Sequence, residues 1–309
     1  MNQLDLDYQN LLFDVLENGV KKDDRTGTGT YSVFGKRIEH DFKDGFPVLT
    51  TKKLAWKTMT AELLWFLRGD TNIKSLVEDN CHIWDGDAFN AYKAKGGKLE
   101  SQKEFIEKLA GCDKFSGRWG ELGPIYGRQW RKWKYANGSF TEYIDQIQGL
   151  ITGLKENPSS RRHLVSAWNV AELPFMTLPP CHYAFQCYVR DGYLDLMWQQ
   201  RSADLFLGVP FNISSYGLLL CIIAEASGLK PGRLIGNFGD VHLYSNHIEQ
   251  AREQLERRPY KLPELLISPT AKDRLKDGLI DNMLDVASVQ DFKLLNYESH
   301  PTIKAPLSN

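Results

Sequence analysis

Ala184-Phe185-Gln186-Cys187-Tyr188-Val189-Arg190-Asp191-Gly192-Tyr193-Leu194-Asp195-Leu196-Met197-Trp198-Gln199 is the stretch that decides the class of fold. Asp191-Gly192 is a strong signal for a tight hairpin turn, because both central residues must take positive φ. Residues 184–189 and 193–199 flank it as strands. In the second strand Leu194, Leu196 and Trp198 alternate with Asp195 and Met197, the period of two that a pleated strand requires. Beyond it, residues 213–227 read as a buried helix ending at Gly228, followed by a turn at Pro231-Gly232. An antiparallel hairpin among interleaved helices predicts an α/β or α+β fold with a mixed sheet rather than a purely parallel one.

The same reading extends outward. Residues 4–17 predict a helix stopped by Asn18-Gly19, and residues 31–42 a strand. Residues 54–67 form a strongly apolar helix ending at Gly69, with Glu62 inside it. Residues 141–154 place Ile144, Ile147, Ile151 and Leu154 on one helical face, with Asn157-Pro158 as the stop. Residues 163–170 read as strand and residues 246–257 as a polar helix. Lys, Glu and Gly dominate residues 85–123, which we read as a surface insertion with a helix near 101–109. No repeat, low-complexity tract or linker divides the 309 residues, so a single domain is expected.

The net charge of -1 does not steer the chain to nucleic acid or a membrane, so any anion site must come from a local cluster. The first seven residues lack a basic start followed by an apolar core, which predicts no secretory signal. The longest apolar stretch, near residues 218–224, falls short of the ~20 residues of a membrane span. Five cysteines, an odd number without CxxC spacing, indicate neither a disulfide framework nor a zinc site, and a reducing cytoplasm fits.

No phosphate-loop, dinucleotide, zinc-protease or hydrolase motif is present. Cys181 follows Leu178-Pro179-Pro180 and precedes a strand, which suits either a nucleophile or a small buried hydrophobe. Adjacent His182 points to the opposite face of that strand and is a poor base for it. Arg25, Arg161-Arg162 and Arg201-Ser202 suit a phosphate dianion, or else a solvated surface. The stretch Arg128-Gln129-Trp130-Arg131-Lys132-Trp133-Lys134 interleaves bases with aromatics, as a nucleic-acid surface does. His242 and Tyr244 share a strand face and could grip a sugar hydroxyl. Asn212 is either a helix N-cap or a reader of a base edge.

Taken together, Asp24-Arg25-Thr26-Gly27-Thr28-Gly29-Thr30, Thr50-Thr51-Lys52-Lys53, Glu62-Leu63-Leu64-Trp65-Phe66-Leu67, Gly123-Pro124-Ile125-Tyr126-Gly127, Ser160-Arg161-Arg162, Leu178-Pro179-Pro180-Cys181-His182, Gln200-Arg201-Ser202-Ala203-Asp204 through Asn212, and Gly239-Asp240-Val241-His242-Leu243-Tyr244 resemble the thymidylate synthases in order and spacing. The resemblance runs from about residue 8 to Pro306. It implies the fold of that family, a sheet-to-sheet homodimer, dUMP as substrate and 5,10-methylenetetrahydrofolate as carbon and hydride donor, with no metal. It implies Cys181 as nucleophile. Arg25, Arg201 and Ser202 would hold the phosphate, joined by Arg161 and Arg162 from the partner subunit, and Arg201 would also lower the thiol pKa. Asn212 and Gln200 would face the uracil edge, and His242 and Tyr244 the ribose. Glu62, His182, Tyr126 and Asp204 would manage water and the C5 proton. Trp84, Asp204, Leu207, Gly208 and Phe211 would form the folate pocket, with Lys52 toward its glutamate tail.

Two positions depart from the family pattern. Gln199 stands where Tyr is usual, and the sequence ends Pro306-Leu307-Ser308-Asn309 where a small apolar residue is usual. A polar end over the site admits the alternative of a dUMP hydroxymethylase, in which water replaces hydride. Asn212 argues against the cytosine version, which carries Asp there, and Trp84 favours hydride. A non-catalytic nucleotide- or RNA-binding homologue would lack Cys181 or an Arg, and all are present.

Overall fold

The computed structural model describes residues 2–24 and 27–307. In chain order its elements are α1 (Gln3–Asn18), β1 (Val20–Lys22), β2 (Thr30–Asp41), α2 (Trp56–Arg68), α3 (Lys74–Glu78), α4 (Asp85–Ala94), α5 (Gln102–Gly111), α6 (Asp113–Trp119), α7 (Tyr126–Arg131), β3 (Trp133–Asn137), β4 (Phe140–Ile144), α8 (Gln146–Glu156), β5 (Leu164–Ser166), β6 (His182–Arg190), β7 (Tyr193–Asp204), α9 (Gly208–Ser227), β8 (Lys230–Tyr244), α10 (Ile248–Leu255), β9 (Glu264–Ile267), α11 (Pro269–Leu275), α12 (Ile280–Leu284) and β10 (Phe292–Leu295).

A six-stranded sheet in the order β1-β2-β8-β7-β6-β5 forms the centre. β7 and β8 are parallel, and the other neighbours in this sheet are antiparallel, so the sheet is mixed as expected. Asp191 and Gly192 take φ 48 and 78, the two positive values that the β6–β7 hairpin needs. On β7, Leu194, Leu196, Trp198 and Gln200 are buried, and Trp198 stacks on Tyr216 of α9 at 5.2 Å. The other face of the sheet carries Met197 and Gln199, both half-buried, and Tyr188, which is 61% exposed.

α9 is the central core helix. By length and composition it could cross a membrane, but 83% of its apolar window is buried inside the protein. It starts at Gly208, five residues before the expected start. Pro210 is tolerated there because the first-turn N–H groups have no intrahelical partner. Asn212 therefore lies inside the helix and is not its N-cap. Gly228 closes α9 in the left-handed conformation, φ 70, and Gly69 closes α2 likewise, φ 73.

Several expectations are corrected. Residues 141–144 belong to a β3–β4 hairpin, and α8 starts at Gln146 because the Asp145 side chain accepts from the Gln148 N–H at 2.9 Å. Ile144 is consequently exposed. Of residues 163–170 only Leu164–Ser166 pairs as a strand. Pro231-Gly232 is no turn but the start of β8, at a register shift beside Leu194. A Cβ on Gly232 would stand 2.3 Å from Asp195 Oδ1. Residues 85–119 hold α4, α5 and α6 around their own aromatic cluster, with Tyr92 at 5.0 Å from Phe105 and 4.9 Å from Trp119. In the basic-aromatic stretch Trp130 and Arg131 are buried, and Arg131 bonds Asp145 and Asp281 at 2.7 and 2.8 Å. Those two residues serve the core, not an external surface.

Asp5, fully buried on α1, anchors the loop before α2. Its carboxylate accepts from the backbone N–H and the hydroxyl of both Thr50 and Thr51. Asp5→Ala leaves these donors dry and unpaired, so it is expected to cost about 3 kcal/mol of unfolding free energy, read as a lower urea midpoint at unchanged slope.

Candidate active site

A cavity of about 910 Å³ opens where the C-terminal end of β7, the start of α9 and the end of β8 meet. Cys181, just before β6, lines it. The Cys181 N–H donates to the Tyr126 hydroxyl at 2.8 Å, and the Arg201 N–H donates to the Cys181 carbonyl at 2.8 Å. The Arg201 side chain donates to the carbonyls of Pro180 and Pro179 at 3.0 and 2.9 Å. The chain at Cys181 is thus clamped from β7 and α7. Burial pushes its pKa up. The nearby Arg201 charge opposes this most, followed by the Tyr126 hydrogen bond, but burial wins. Arg201 thus lowers the thiol pKa in the expected direction, but by less than burial raises it.

Around Cys181 the cavity walls carry groups of contrasting ionisation. Glu62 of α2 accepts from Trp84 Nε1 at 2.8 Å, and burial pushes its carboxyl up to about 7. His182 meets the Tyr216 hydroxyl through Nδ1 at 2.9 Å, and burial pushes the ring down to about 3. It is a neutral imidazole, and both it and Cys181 line the cavity. Tyr126 packs between Phe66 and His182 at 4.8 and 4.4 Å, and burial raises its pKa well above the ordinary tyrosine value.

A hydrogen-bonded chain sets the amide of Asn212. Trp198 Nε1 donates to Gln200 Oε1 at 3.1 Å, and Gln200 Nε2 donates to Asn212 Oδ1 at 3.0 Å. Asp204 accepts from the N–H groups of Phe206 and Leu207 at 3.1 and 3.3 Å, which holds the entry to α9. His242 Nδ1 lies 3.3 Å from Asp240 Oδ1, and the Tyr244 ring is 5.4 Å from that of His242.

The structure brings Glu62, Trp84, Tyr126, Cys181, His182, Gln200, Arg201, Ser202, Asp204, Leu207, Gly208, Phe211, Asn212, His242 and Tyr244 to this one cavity. It does not bring Lys52 there. Lys52 is buried, donates to the Phe206 carbonyl and lies over the Phe206 ring at 3.6 Å, and burial pushes its amine down to about 7. Arg161 and Arg162 are exposed on the turn after α8 and do not line the cavity. Arg25, Ser308 and Asn309 lie outside the described residues. Sequence reading missed His82, Asp87 and Leu178 as cavity walls. Asp87 carried a usable signal, since it lies one helical turn after Trp84.

A profile of the thymidylate synthase family matches residues 6–309. The chain belongs to the thymidylate synthase family. It is similar to the thymidylate synthase of Listeria monocytogenes serotype 4b, with 47% identity over 316 residues, covering 95% of this chain and 96% of that protein. The family resemblance seen in separate motifs therefore extends through the elements that build the cavity.

The clamp makes a prediction about the thiol. In a Cys112→Ser background, which removes the exposed cysteine, iodoacetamide should label Cys181 with a pH midpoint above that of free cysteine, ~8.5. Arg201→Gln should move the midpoint further up, because a stabilising cation is lost. A downward shift would mean that the guanidinium does not act on the thiol.

Proposed function

We propose that this member of the thymidylate synthase family converts dUMP to dTMP with 5,10-methylenetetrahydrofolate, as a methyltransferase of dTMP biosynthesis. The observation that carries the reading is the convergence of one clamped thiol, a carboxyl that titrates near neutrality and an oriented amide on one cavity. Cys181 adds to C6 of the uracil ring and moves the ring electrons toward C5, splitting a hard substitution into easier steps. Asn212, its oxygen held by Gln200, reads the ring edge, and His242 and Tyr244 take the ribose hydroxyl. Glu62, with a pKa near 7, can give and take a proton at neutral pH, with Tyr126, His182 and Asp204 as its polar surroundings. When bound, the folate supplies the one-carbon unit and the hydride and leaves as dihydrofolate. Trp84, Leu207, Gly208 and Phe211 offer apolar wall for its ring, and Asp204 offers a carboxylate for its N–H donors. Lys52 is left out of this pocket because its ammonium is already bound at Phe206.

Phosphate binding supports a homodimer. The described lining holds six carboxylates (Asp23, Asp24, Glu62, Asp87, Asp204, Asp240) against Lys22 and Arg201. A dianion entering so acidic a cavity needs further cations. Arg201 and Ser202 are assigned to the phosphate together with Arg25, and with Arg161 and Arg162 of a second copy docked on the uncovered sheet face. The reading keeps the chain as one domain, residues 1–309, with 85–123 as a surface insertion. It needs Cys181 reduced, which fits the cytoplasm.

Incubation with dUMP and 5,10-methylenetetrahydrofolate should give dTMP and dihydrofolate in equal amounts, and Cys181→Ser should abolish both. Hydroxymethylated nucleotide without dihydrofolate would favour the hydroxymethylase instead. Glu62→Gln should lower kcat by about 10²–10⁴-fold and remove the limb near pH 7 from the rate profile. The shared site is checked by mixing two inactive proteins, Cys181→Ser and the double variant Arg161→Ala/Arg162→Ala. Statistical exchange of subunits should restore about a quarter of wild-type activity, because each mixed dimer keeps one intact site. No recovery would place both arginines outside the partner's site.

A further inference from the structure

Directly after the cavity strand β8, residues Ser245–His247 form one short 3-10 turn. Its two ends hold two different parts of the cavity mouth. The Ser245 N–H donates to the Gly29 carbonyl at 3.0 Å, and the Gly29 N–H donates to Asp24 Oδ1 at 2.6 Å. That fixes the loop that carries Asp24 to the rim. At the other end His247 is fully buried, and its Nε2 meets the Pro306 carbonyl at 2.7 Å. Pro306 lies between Ala305 and Leu307, which both line the cavity.

This contact stands alone. Among the described residues it is the only hydrogen bond made by residues 303–307. Apolar burial holds the near end, fully at Ile303 and partly at Ala305, whereas Leu307 is 65% exposed. A carbonyl only accepts, so Nε2 must carry the hydrogen. The ring cannot rotate away, since it packs against Phe206 at 5.5 Å and Tyr244 at 5.7 Å. Phe206 is itself held by Lys52. Among the described residues His247 Nδ1 and Ser245 Oγ are buried without a partner, a cost that the turn carries alongside its outward contacts.

We propose that His247 is a positioning residue that tethers the 303–307 segment over the cavity through the Pro306 carbonyl. Ser245 holds the facing loop in the same turn, so one short element sets both sides of the mouth. The tether is a property of the free protein. Its consequence for turnover rests on the methyl-transfer reading above.

The first test needs no substrate. Trypsin cleavage after Lys304, which is exposed, requires the segment to leave the rim, and release of the peptide from Ala305 onward is followed by mass. His247→Asn places an amide near Nδ1 but no donor at Nε2, and should be cut about tenfold faster, the loss of roughly one hydrogen bond. His247→Gln returns an N–H to the Nε2 position and should be cut at the wild-type rate. Equal rates in wild type and folded His247→Asn would overturn the proposal. In the wild-type chain, where no substitution disturbs folding, ¹⁵N spectra of the imidazoles should show His247 protonated at Nε2, with slow proton exchange that truncation before Ala305 speeds up. Protonation at Nδ1 alone would also overturn it. In the assay His247→Asn should release hydroxymethylated nucleotide through water entry, and His247→Gln should not. If cleavage responds but no variant or wild type makes product, the tether stands and the proposed reaction fails.

Discussion

β7 and β8 share a hydrogen-bond ladder in parallel, so the chain leaving Asp204 must travel back along the sheet before it can pair again. α9, 20 residues long, makes that return through the core. The rest of the molecule depends on this crossover. It puts the C-terminal ends of β7 and β8 side by side and sets the start of α9 next to them. Gln200, Arg201, Ser202 and Asp204 come from the first strand, His242 and Tyr244 from the second, and Leu207, Gly208, Phe211 and Asn212 from the junction. A cleft at the carboxyl ends of parallel strands follows from the topology, and α/β sheets bind ligands there for that reason. The antiparallel β6 then delivers Cys181 and His182 to the same end, because its hairpin partner finishes there.

Strong local signals were legible in the sequence. The Asp191-Gly192 turn and the Gly69 and Gly228 stops are set by neighbouring residues, and the structure keeps them, whereas the alternation of β7 is interrupted at Asp195, which is buried against Arg190 and Arg233. The errors fall where a distant contact overrides a local pattern. Residues 141–144 fit a helical stripe, yet they pair with β3, and Asp145 spends its carboxylate on both the α8 cap and Arg131. Pro231-Gly232 looks like a turn until Asp195 is placed against it from the neighbouring strand. The Lys- and Glu-rich segment 85–119 hides Phe89, Tyr92, Phe105, Phe115 and Trp119, which form a core only when three helices fold together. The site was legible mainly through family resemblance. Composition and spacing left Cys181, Asn212 and each arginine with a plain structural alternative.

One physical cause, removal of water, is the largest influence on His182, Lys52, Glu62 and Cys181, and geometry decides what each becomes. His182 and Lys52 are pushed toward neutrality by it, and Glu62 is brought near pH 7 with only the Trp84 hydrogen bond opposing. Cys181 has a cation to oppose burial, yet Arg201 does not overcome it. In the proposed complex that balance becomes harder to hold, since a phosphate on Arg201 would engage the same charge that favours the thiolate. A site that binds a dianion and also needs an anionic sulfur must therefore bring in more positive charge than this cavity's described walls contain. That requirement gives the exposed pair Arg161-Arg162 a physical reason to lie outside their own cavity. In the proposed dimer they relieve the shortage in the neighbouring copy.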